Sequence, residues 1–436
     1  MKRIIIIVLS LAIVFGFIFW RFGPSISLFN QPTTNGPITL TYWGLWEDDN
    51  LIKPLIAEYQ KQNPKVTINY VKQSSVNYRT RVQTQVREGV GPDVFMIHNS
   101  WLPMFYDDLA AAPSDVFSIS GYKDMFYPVA QSSFVKDNQI FAAPMEIDGL
   151  ALFYNVDMLS GIGASVPKNW QEFMDAASRM TVKDSSGIKT AGAALGTTGN
   201  VDHFSDIIGL LLFQQPGVDL NNLNSPQVAE ILRFYTGFVI DPRRKTWDVT
   251  LPSSTQMFAS GRLGFYFAPS WRAHELRVVN SSLNFKVAPV PQLSGKQVAW
   301  ASFWGQAVSK NSKNAKQAWQ FVQFLTSPNT EKLAYQQASK VRLFGEPYSQ
   351  TSLGPELIGD PVVGAFISQG PIYKFWYLSS NTFDNGINDE TVKYFEDAVN
   401  AVLQGVDPQS VLQTIDQGVK QVMDKYTKPQ VVTSGR

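Results

Sequence analysis

Between Ile38 and Ile97 the chain alternates strand-like and helix-like segments in the order strand, helix, strand, helix, strand, which few folds accommodate. Ile38 to Trp43 reads as the first strand. Asp48, Asp49 and Asn50 then offer N-caps to a helix whose Leu51, Leu55 and Tyr59 fall four apart on one face, with Pro54 in its first turn and Pro64 ending it. Val66 to Val71 reads as a strand, Tyr78 to Glu88 as a helix, Gly89 to Pro92 as a break, and Asp93 to Ile97 as a buried strand. Such a pattern implies a parallel sheet. In a sheet of this kind ligands bind beyond the carboxyl ends of the strands, which places Gly44 to Glu47 and His98 to Trp101 around one crevice.

The remainder extends the α/β pattern. Gln139 to Tyr154 is a long β-leaning segment interrupted by Pro144 and Gly149, too long for one ordinary strand, and it reads as a crossing between lobes. Helical stretches follow at Trp170 to Met180, His203 to Gln214, Pro226 to Phe238 and Ser253 to Ser260, then an apolar strand from Leu263 to Phe267. Phe285 to Pro291 and Ala301 to Val308 are strand-like. Ala315 to Leu325 is a helix with Ala318, Phe321, Val322 and Leu325 on one face. Helices at Glu331 to Ser339, Asp360 to Ser368, Asp389 to Gln404 and Pro408 to Lys425 complete the chain, without internal repeats. The fold class is thus α/β, and 436 residues suffice for a large core divided among lobes.

Composition excludes several chemistries. Lys+Arg 37 against Asp+Glu 36 leaves a net charge of +1, so no bulk field attracts nucleic acid, and none is expected as a partner. With no cysteine there is no disulfide, thiol nucleophile, thiolate metal site or lipidated cysteine. His98, His203 and His274 are isolated and lack metal-ligand spacing; neither a metal nor a cofactor is expected. No Gly-x-Ser-x-Gly elbow or phosphate loop occurs, and Gly161-Ile162-Gly163 lacks the third glycine of a dinucleotide fingerprint, having Val166 there. Lys310 to Lys316 reads as a solvated helix start.

The N-terminus is different in kind. Lys2 and Arg3 precede Ile4 to Trp20, a stretch without charge or proline that would span roughly 26 Å as a helix. We read residues 1–22 as an N-terminal transmembrane helix with the basic end in the cytoplasm, against the competing reading of a cleaved signal peptide. Residues 23–37 form an uncharged Pro/Ser/Thr/Asn/Gly tether. The body would then sit outside a cell membrane crossed once.

Taken together, several short motifs resemble a known family. They are Tyr42-Trp43-Gly44-Leu45-Trp46-Glu47, Gly91-Pro92-Asp93-Val94, Ala143-Pro144-Met145-Glu146 leading to Leu152-Phe153-Tyr154-Asn155, and Met257-Phe258-Ala259-Ser260-Gly261 with Pro269-Ser270-Trp271. Ala307-Val308-Ser309-Lys310 follows, then Trp319-Gln320-Phe321-Val322 and Phe324-Leu325-Thr326-Ser327-Pro328. In this order Ile38 to Tyr426 resembles the family-1 extracellular solute-binding proteins of ABC importers, the maltose-binding-protein-like group. The resemblance implies a two-lobe periplasmic-binding-protein-like fold of type II with hinge-crossing strands. Its expected lobes are 38–146 with 302–355, and 147–301 with 356–429. It also implies a monomer that binds a sugar and hands it to ABC permease subunits without chemistry. The family's contact positions fall on Trp46, Glu47, Asn99, Ser100, Trp101, Glu146, Trp271, Trp304 and Tyr373.

Residue chemistry agrees with a sugar, because aromatic planes cover its C–H faces and carboxylates accept from its hydroxyls. Trp43 reads as core, Trp46 as a ligand platform and Trp271 as a stacking residue. Trp300 and Trp304, four apart, would point the same way on an unbroken strand, into either the crevice or the core. Glu146 and Asp148, two apart, share one face of an extended segment. Asp148 is a ligand acceptor or, equally, a hinge cap or ion-pair partner. A carbohydrate-active enzyme using Glu146 and Asp148 as its carboxylate pair is the alternative, as is a sugar-sensing receptor subunit.

Overall fold

Leu40 and Tyr42 alternate inward from Ile38–Gly44, and both are buried, so the first strand forms where period-two patterning puts it. A computed structural model describes residues 36–293 and 295–427, and from Thr39 on the chain is one unit. The expected anchor at 1–22 and the tether, apart from Gly36 and Pro37, lie outside the described residues. Among the described residues no helix is long and apolar enough to cross a membrane.

Two five-stranded sheets form the cores of two lobes. The first runs in the order Val66–Lys72, Ile38–Gly44, Val94–His98, Trp304–Val308, Ala142–Pro144. Ile38–Gly44 and Val94–His98 are parallel, with Tyr42 opposite Val94, whereas Trp304–Val308 enters antiparallel to both of its neighbours. Val94–His98 is buried throughout and correspondingly apolar. Helix Ala315–Leu325 covers this sheet with Ala318, Trp319, Phe321, Val322 and Leu325, the predicted face plus one tryptophan. Helix Asp49–Gln62 buries Ile52, Leu55, Ile56 and Tyr59, a stripe beside the expected one, with Leu51 at its margin. Asp48 is its N-cap without a side-chain cap bond, because its carboxylate pairs instead with Lys72 at 2.6 Å.

The second sheet runs Phe285–Ala288, Ala151–Asn155, Leu263–Ala268, Gly187–Ala193, Val182–Asp184. Its mixed character comes from Leu263–Ala268, parallel to Gly187–Ala193 and antiparallel to Ala151–Asn155. Helices Ile387–Leu403 and Pro408–Thr427 pack on each other and on Pro226–Ile240 of this lobe. The strand expected over Phe285 to Pro291 stops at Ala288, since Pro289 and Pro291 have no N–H for a ladder.

The long segment from Gln139 to Tyr154 is not continuous. It divides into Gln139–Ile140, Ala142–Pro144 and Ala151–Asn155, with the hinge between the last two. There Leu150 N donates to Trp300 O, Ser302 N to Asp148 O and Ala301 N to Lys374 O, all within 3.0 Å. Gly149 is required at this crossing: a Cβ on it would lie 2.0 Å from Trp300 O and 2.9 Å from Ala301 Cα. Trp300 belongs to a short strand, Ala299–Trp300, paired with Tyr373–Lys374, and the chain breaks before Trp304–Val308 begins. The two tryptophans therefore part. Trp300 is fully buried over Gly209 with its Nε1–H bonded to Asp206, while Trp304 faces the interlobe space.

Beside the hinge, Glu331 on helix Pro328–Ala338 is 2% exposed. Ser349 Oγ lies 2.5 Å from its Oε1 and 2.8 Å from Pro144 O. One hydroxyl has one proton, so both contacts are satisfied when Glu331 itself carries a proton and donates it to Ser349. Burial accordingly pushes its carboxyl up to about 8.

Two consequences are measurable. Gly149→Ala should lower stability by on the order of 3 kcal/mol in chemical denaturation, because the obstructing atoms are backbone and cannot rotate away; a loss under about 0.5 kcal/mol would refute this. Glu331 holds a proton in the folded chain that the unfolded chain releases near its ordinary 4.5, so stability should fall as pH rises from about 4.5 to 8. Melting temperatures at pH 5 and pH 8 should converge in Glu331→Gln relative to the parent. An unaltered difference would assign the pH dependence elsewhere, for example to Asp148.

Candidate ligand-binding cleft

The carboxyl ends of the first sheet and the hinge face a cavity of about 470 Å³, within the range of small-molecule sites. Trp46 stands just past the end of Ile38–Gly44 and is 42% exposed, its turn held by Tyr70 Oη donating to Glu47 O at 2.5 Å. Its ring meets Trp304 edge-on at 5.5 Å. Trp304 in turn rests edge-on against Trp101 and His98, so one wall of the cleft is an indole backed by buried rings.

Six of the expected site residues line this cavity: Trp46, Glu47, Glu146, Asp148, Trp271 and Trp304. The other four do not. Trp101 is fully buried as the N-cap of Leu102–Phe105 and stacks on Phe105 with a 10° interplanar angle. Asn99 and Ser100 are also fully buried: Asn99 Oδ1 accepts from Phe303 N, and Ser100 Oγ accepts from Asn388 Nδ2 at 2.7 Å. Tyr373 is buried in the hinge, close to Gly149. Asn99, Ser100 and Trp101 turn inward after the end of Val94–His98, and Tyr373 opens a short strand packed beneath the crossing, so none faces the opening.

Asp148 is committed to the fold. Both oxygens accept from Ser270 N at 3.1 Å, Oδ1 from Gly149 N at 2.7 Å and Oδ2 from Ser270 Oγ at 2.9 Å. Burial nevertheless pushes its carboxyl up to about 8, with those donors opposing the rise. Because Ser270 follows Leu263–Ala268, this clasp fixes Trp271, the N-cap of helix Arg272–Val279, at the second lobe's edge of the cleft. Arg272 lies over the Trp271 ring, 4.3 Å from its centroid, and pairs with Glu275 at 2.6 Å.

Sequence reasoning missed several lining residues. Arg342 and Glu346, a turn apart, converge with Glu47: Arg342 Nη2 lies 3.0 Å from Glu47 Oε1 and 2.8 Å from Glu346 Oε1. Burial pushes Glu346 up to about 7 against the pull of Arg342. Glu146 is raised well above the carboxylate range, first by burial and then by Glu346, Glu47 and Asp148. Charged residues in the otherwise apolar stretch before Pro347 were the available signal. His98, read as an isolated histidine, also lines the cavity; burial lowers it to about 3, and its neutral ring bonds Ser100 and Ser302 hydroxyls. His203 and Asp206 lie opposite, with Ser380 bonded to both. Phe383, half exposed, projects from a loop in which Asn381, Phe383 and Asn385 all have positive φ. Among the described residues no group of three or more His, Asp or Glu is arranged to hold a metal.

Comparison with known proteins gives a consistent result. The family described as bacterial extracellular solute-binding protein matches residues 54–341. A putative binding protein of Brucella abortus is 21% identical over 279 residues, covering 61% of this chain and 66% of the relative. A maltotriose-binding protein of Pyrococcus abyssi is 22% identical over 327 residues, covering 72% and 67%. The chain thus spans about two thirds of the length of these curated relatives. Among solved structures, a cyclo/maltodextrin-binding protein complexed with maltotetraose superposes with a TM-score of 0.72 at 19% identity, covering 91% of this chain and 100% of that one. The GacH receptor of Streptomyces glaucescens gives 0.69 at 20% identity, covering 89% and 99%. At these identities the structures establish the fold, two α/β lobes joined by crossing segments. Because the family match extends from the first helix of the first lobe to the edge of the Arg342 loop, the chain belongs to the bacterial extracellular solute-binding proteins.

Proposed function

We propose that this chain is a receptor that captures an oligosaccharide between its lobes and presents it, chemically unchanged, to the permease subunits of an ABC importer. One observation carries the reading: indoles and carboxylates from both lobes line the same 470 Å³ cavity at the hinge. Trp46 and Trp304 from one side and Trp271 from the other are suited to the apolar faces of sugar rings, and Glu146 to their hydroxyls. Solved proteins of this fold hold maltotetraose, acarbose or mannobiose, which favours the same ligand class here. A ligand touching both walls stabilises the closed arrangement by its differential affinity, and a permease can read that closure. The basic-flanked apolar segment at 1–22 would tether the receptor to the outer face of the cell membrane, where a monomer suffices.

The geometry argues against the glycosidase alternative. Ser270 and Gly149 supply four hydrogen bonds to Asp148, leaving neither oxygen free to attack an anomeric carbon or to activate water. Asp148 serves as the hinge cap, and Glu146 has no second free carboxylate on that segment to act with.

A thermal-shift screen against a library of oligosaccharides, followed by calorimetric titration and chromatography of the recovered sugar, tests the reading. A ligand that raises the melting temperature and is recovered intact supports it; cleavage of the sugar, or no stabilisation by any member, refutes it. For a sugar so identified, Trp271→Ala should weaken binding by about 1–3 kcal/mol with little change in unliganded melting temperature. Equal affinity would return Trp271 to a purely structural role.

A further inference from the structure

The charges along the cleft are unevenly balanced. At the second lobe's end they are matched or occupied: Arg272 pairs with Glu275, and Asp206 accepts from Trp300 Nε1 and Ser380 N. At the first lobe's end three carboxylates, Glu47, Glu146 and Glu346, face a single guanidinium, Arg342. Arg342 Nη2 is divided between Glu47 and Glu346, and its Nε is buried without a partner. Glu146 receives no hydrogen bond or ion pair from any described residue.

A small recess opens from this end and is lined by the same three glutamates and Arg342. Gln306 lines it too, 2% exposed, and its Oε1 is a buried acceptor without a hydrogen-bond partner. An unpartnered buried acceptor costs free energy unless something else supplies a donor. Gln306 Oε1 therefore awaits a donor close to the part-exposed carboxyl of Glu146, in a region already short of positive charge. A protonated amine brings several N–H donors and one positive charge, which a neutral hydroxyl cannot do.

We propose that the solute carries a protonated amino group, seated among Glu47, Glu146 and Glu346 at the first lobe's end of the cleft. This deepens the receptor reading and rests on it. Without solute the excess negative charge is relieved by a proton: burial, Glu346, Glu47 and Asp148 all favour protonated Glu146, and Arg342 opposes this. Tyr42 and Glu331 face the same region and add no positive charge. An ammonium group arriving there takes over the proton's role, and Glu146 ionises to meet it. Binding near pH 7 should then release a proton to solvent and weaken with added salt.

Calorimetric titration of the full chain distinguishes the possibilities. The probes are the 2-aminoethyl glycoside of maltotetraose, an oligomer whose aliphatic amine is already protonated at pH 7, its N-acetylated counterpart, neutral maltotetraose, and spermidine as an amine without a sugar. Each is titrated in phosphate and in Tris at pH 7, so that proton release is read from the difference in apparent heat. The expected result is at least tenfold tighter binding of the amine-bearing oligomer than of its acetylated form, with proton release. Glu146→Gln should abolish the release and most of the preference. Acetylated or neutral sugars binding as tightly as the amine, or more tightly, would overturn the inference while leaving the oligosaccharide receptor intact. Spermidine binding with proton release while no sugar binds would retain the amine and discard the carbohydrate. Failure of both amine-bearing probes to bind would overturn the inference. Where Glu146→Gln fails to fold, Gln306→Leu offers the second test, and an undiminished amine preference in that variant would remove the recess from the site.

Discussion

Everything about the cleft depends on how closely two stretches of backbone approach at the hinge. Gly149 lies against the Trp300 carbonyl at a distance no side chain would allow. The hydrogen bonds Leu150 N to Trp300 O and Ser302 N to Asp148 O then satisfy main-chain groups that would otherwise be buried without partners. That register decides which residues face the space between the lobes. Ile147 is fully buried on one side of the crossing, so Glu146 and Asp148 are directed to the other. Asp148 carries the constraint further, since its carboxylate clasps Ser270 and thereby fixes Trp271. A backbone contact of a few ångströms in this way sets the position of an indole that belongs to the opposite wall.

Burial in the same region works against charge on its ionisable groups. His98 is fully buried with its ring nitrogens against serine hydroxyls, which makes the imidazolium unfavourable. Asp148 and Glu331 are carboxyls whose burial outweighs the donors around them. A neutral acid or imidazole still offers directional hydrogen bonds but avoids the desolvation cost of an unpaired charge. The hinge thus combines polar specificity with an interior that packs like a core. Arg342 is the exception: its guanidinium is retained because Glu47 and Glu346 compensate it from two separate segments.

Much of the fold was legible in the sequence because local patterning and tertiary position agree. Helix Ala315–Leu325 and helix Trp170–Met180 fall on their expected bounds, and each has one continuous apolar face. The site was legible where a residue lies beyond a strand end, as with Trp46, or beside a proline break, as with Trp271. It was illegible where exposure depends on a break in pairing. Four-residue spacing would align Trp300 with Trp304 on a continuous strand, but the hinge interrupts the strand, and one indole is buried while the other lines the cleft. Asn99, Ser100 and Trp101 follow a buried strand, where the resemblance led us to expect contact residues, yet the chain folds back at once into Leu102–Phe105 and takes them beneath Trp304. Arg342 and Glu346 could not be placed from the sequence, because nothing local connects them with Glu47 nearly three hundred residues earlier.

The loop after Ser379 ties one wall of the cleft to the placement of the first lobe. Asn381, Phe383 and Asn385 each adopt a left-handed backbone that costs a non-glycine residue of order 1 kcal/mol. Two sets of bonds sustain it. Within the loop, the buried Asp384 carboxylate accepts from Gly386 N, Asn388 N and Asn388 Nδ2. From the first lobe, Arg79 donates to Asp384 O at 2.7 Å and to Asn385 O at 3.0 Å, and Ser100 accepts from Asn388. The conformation that places Phe383 at the cavity therefore rests in part on contacts with the first lobe. A solute resting on Phe383 and Trp46 together would gain its full contact energy in that arrangement alone, and by linkage it would stabilise the arrangement by the same amount.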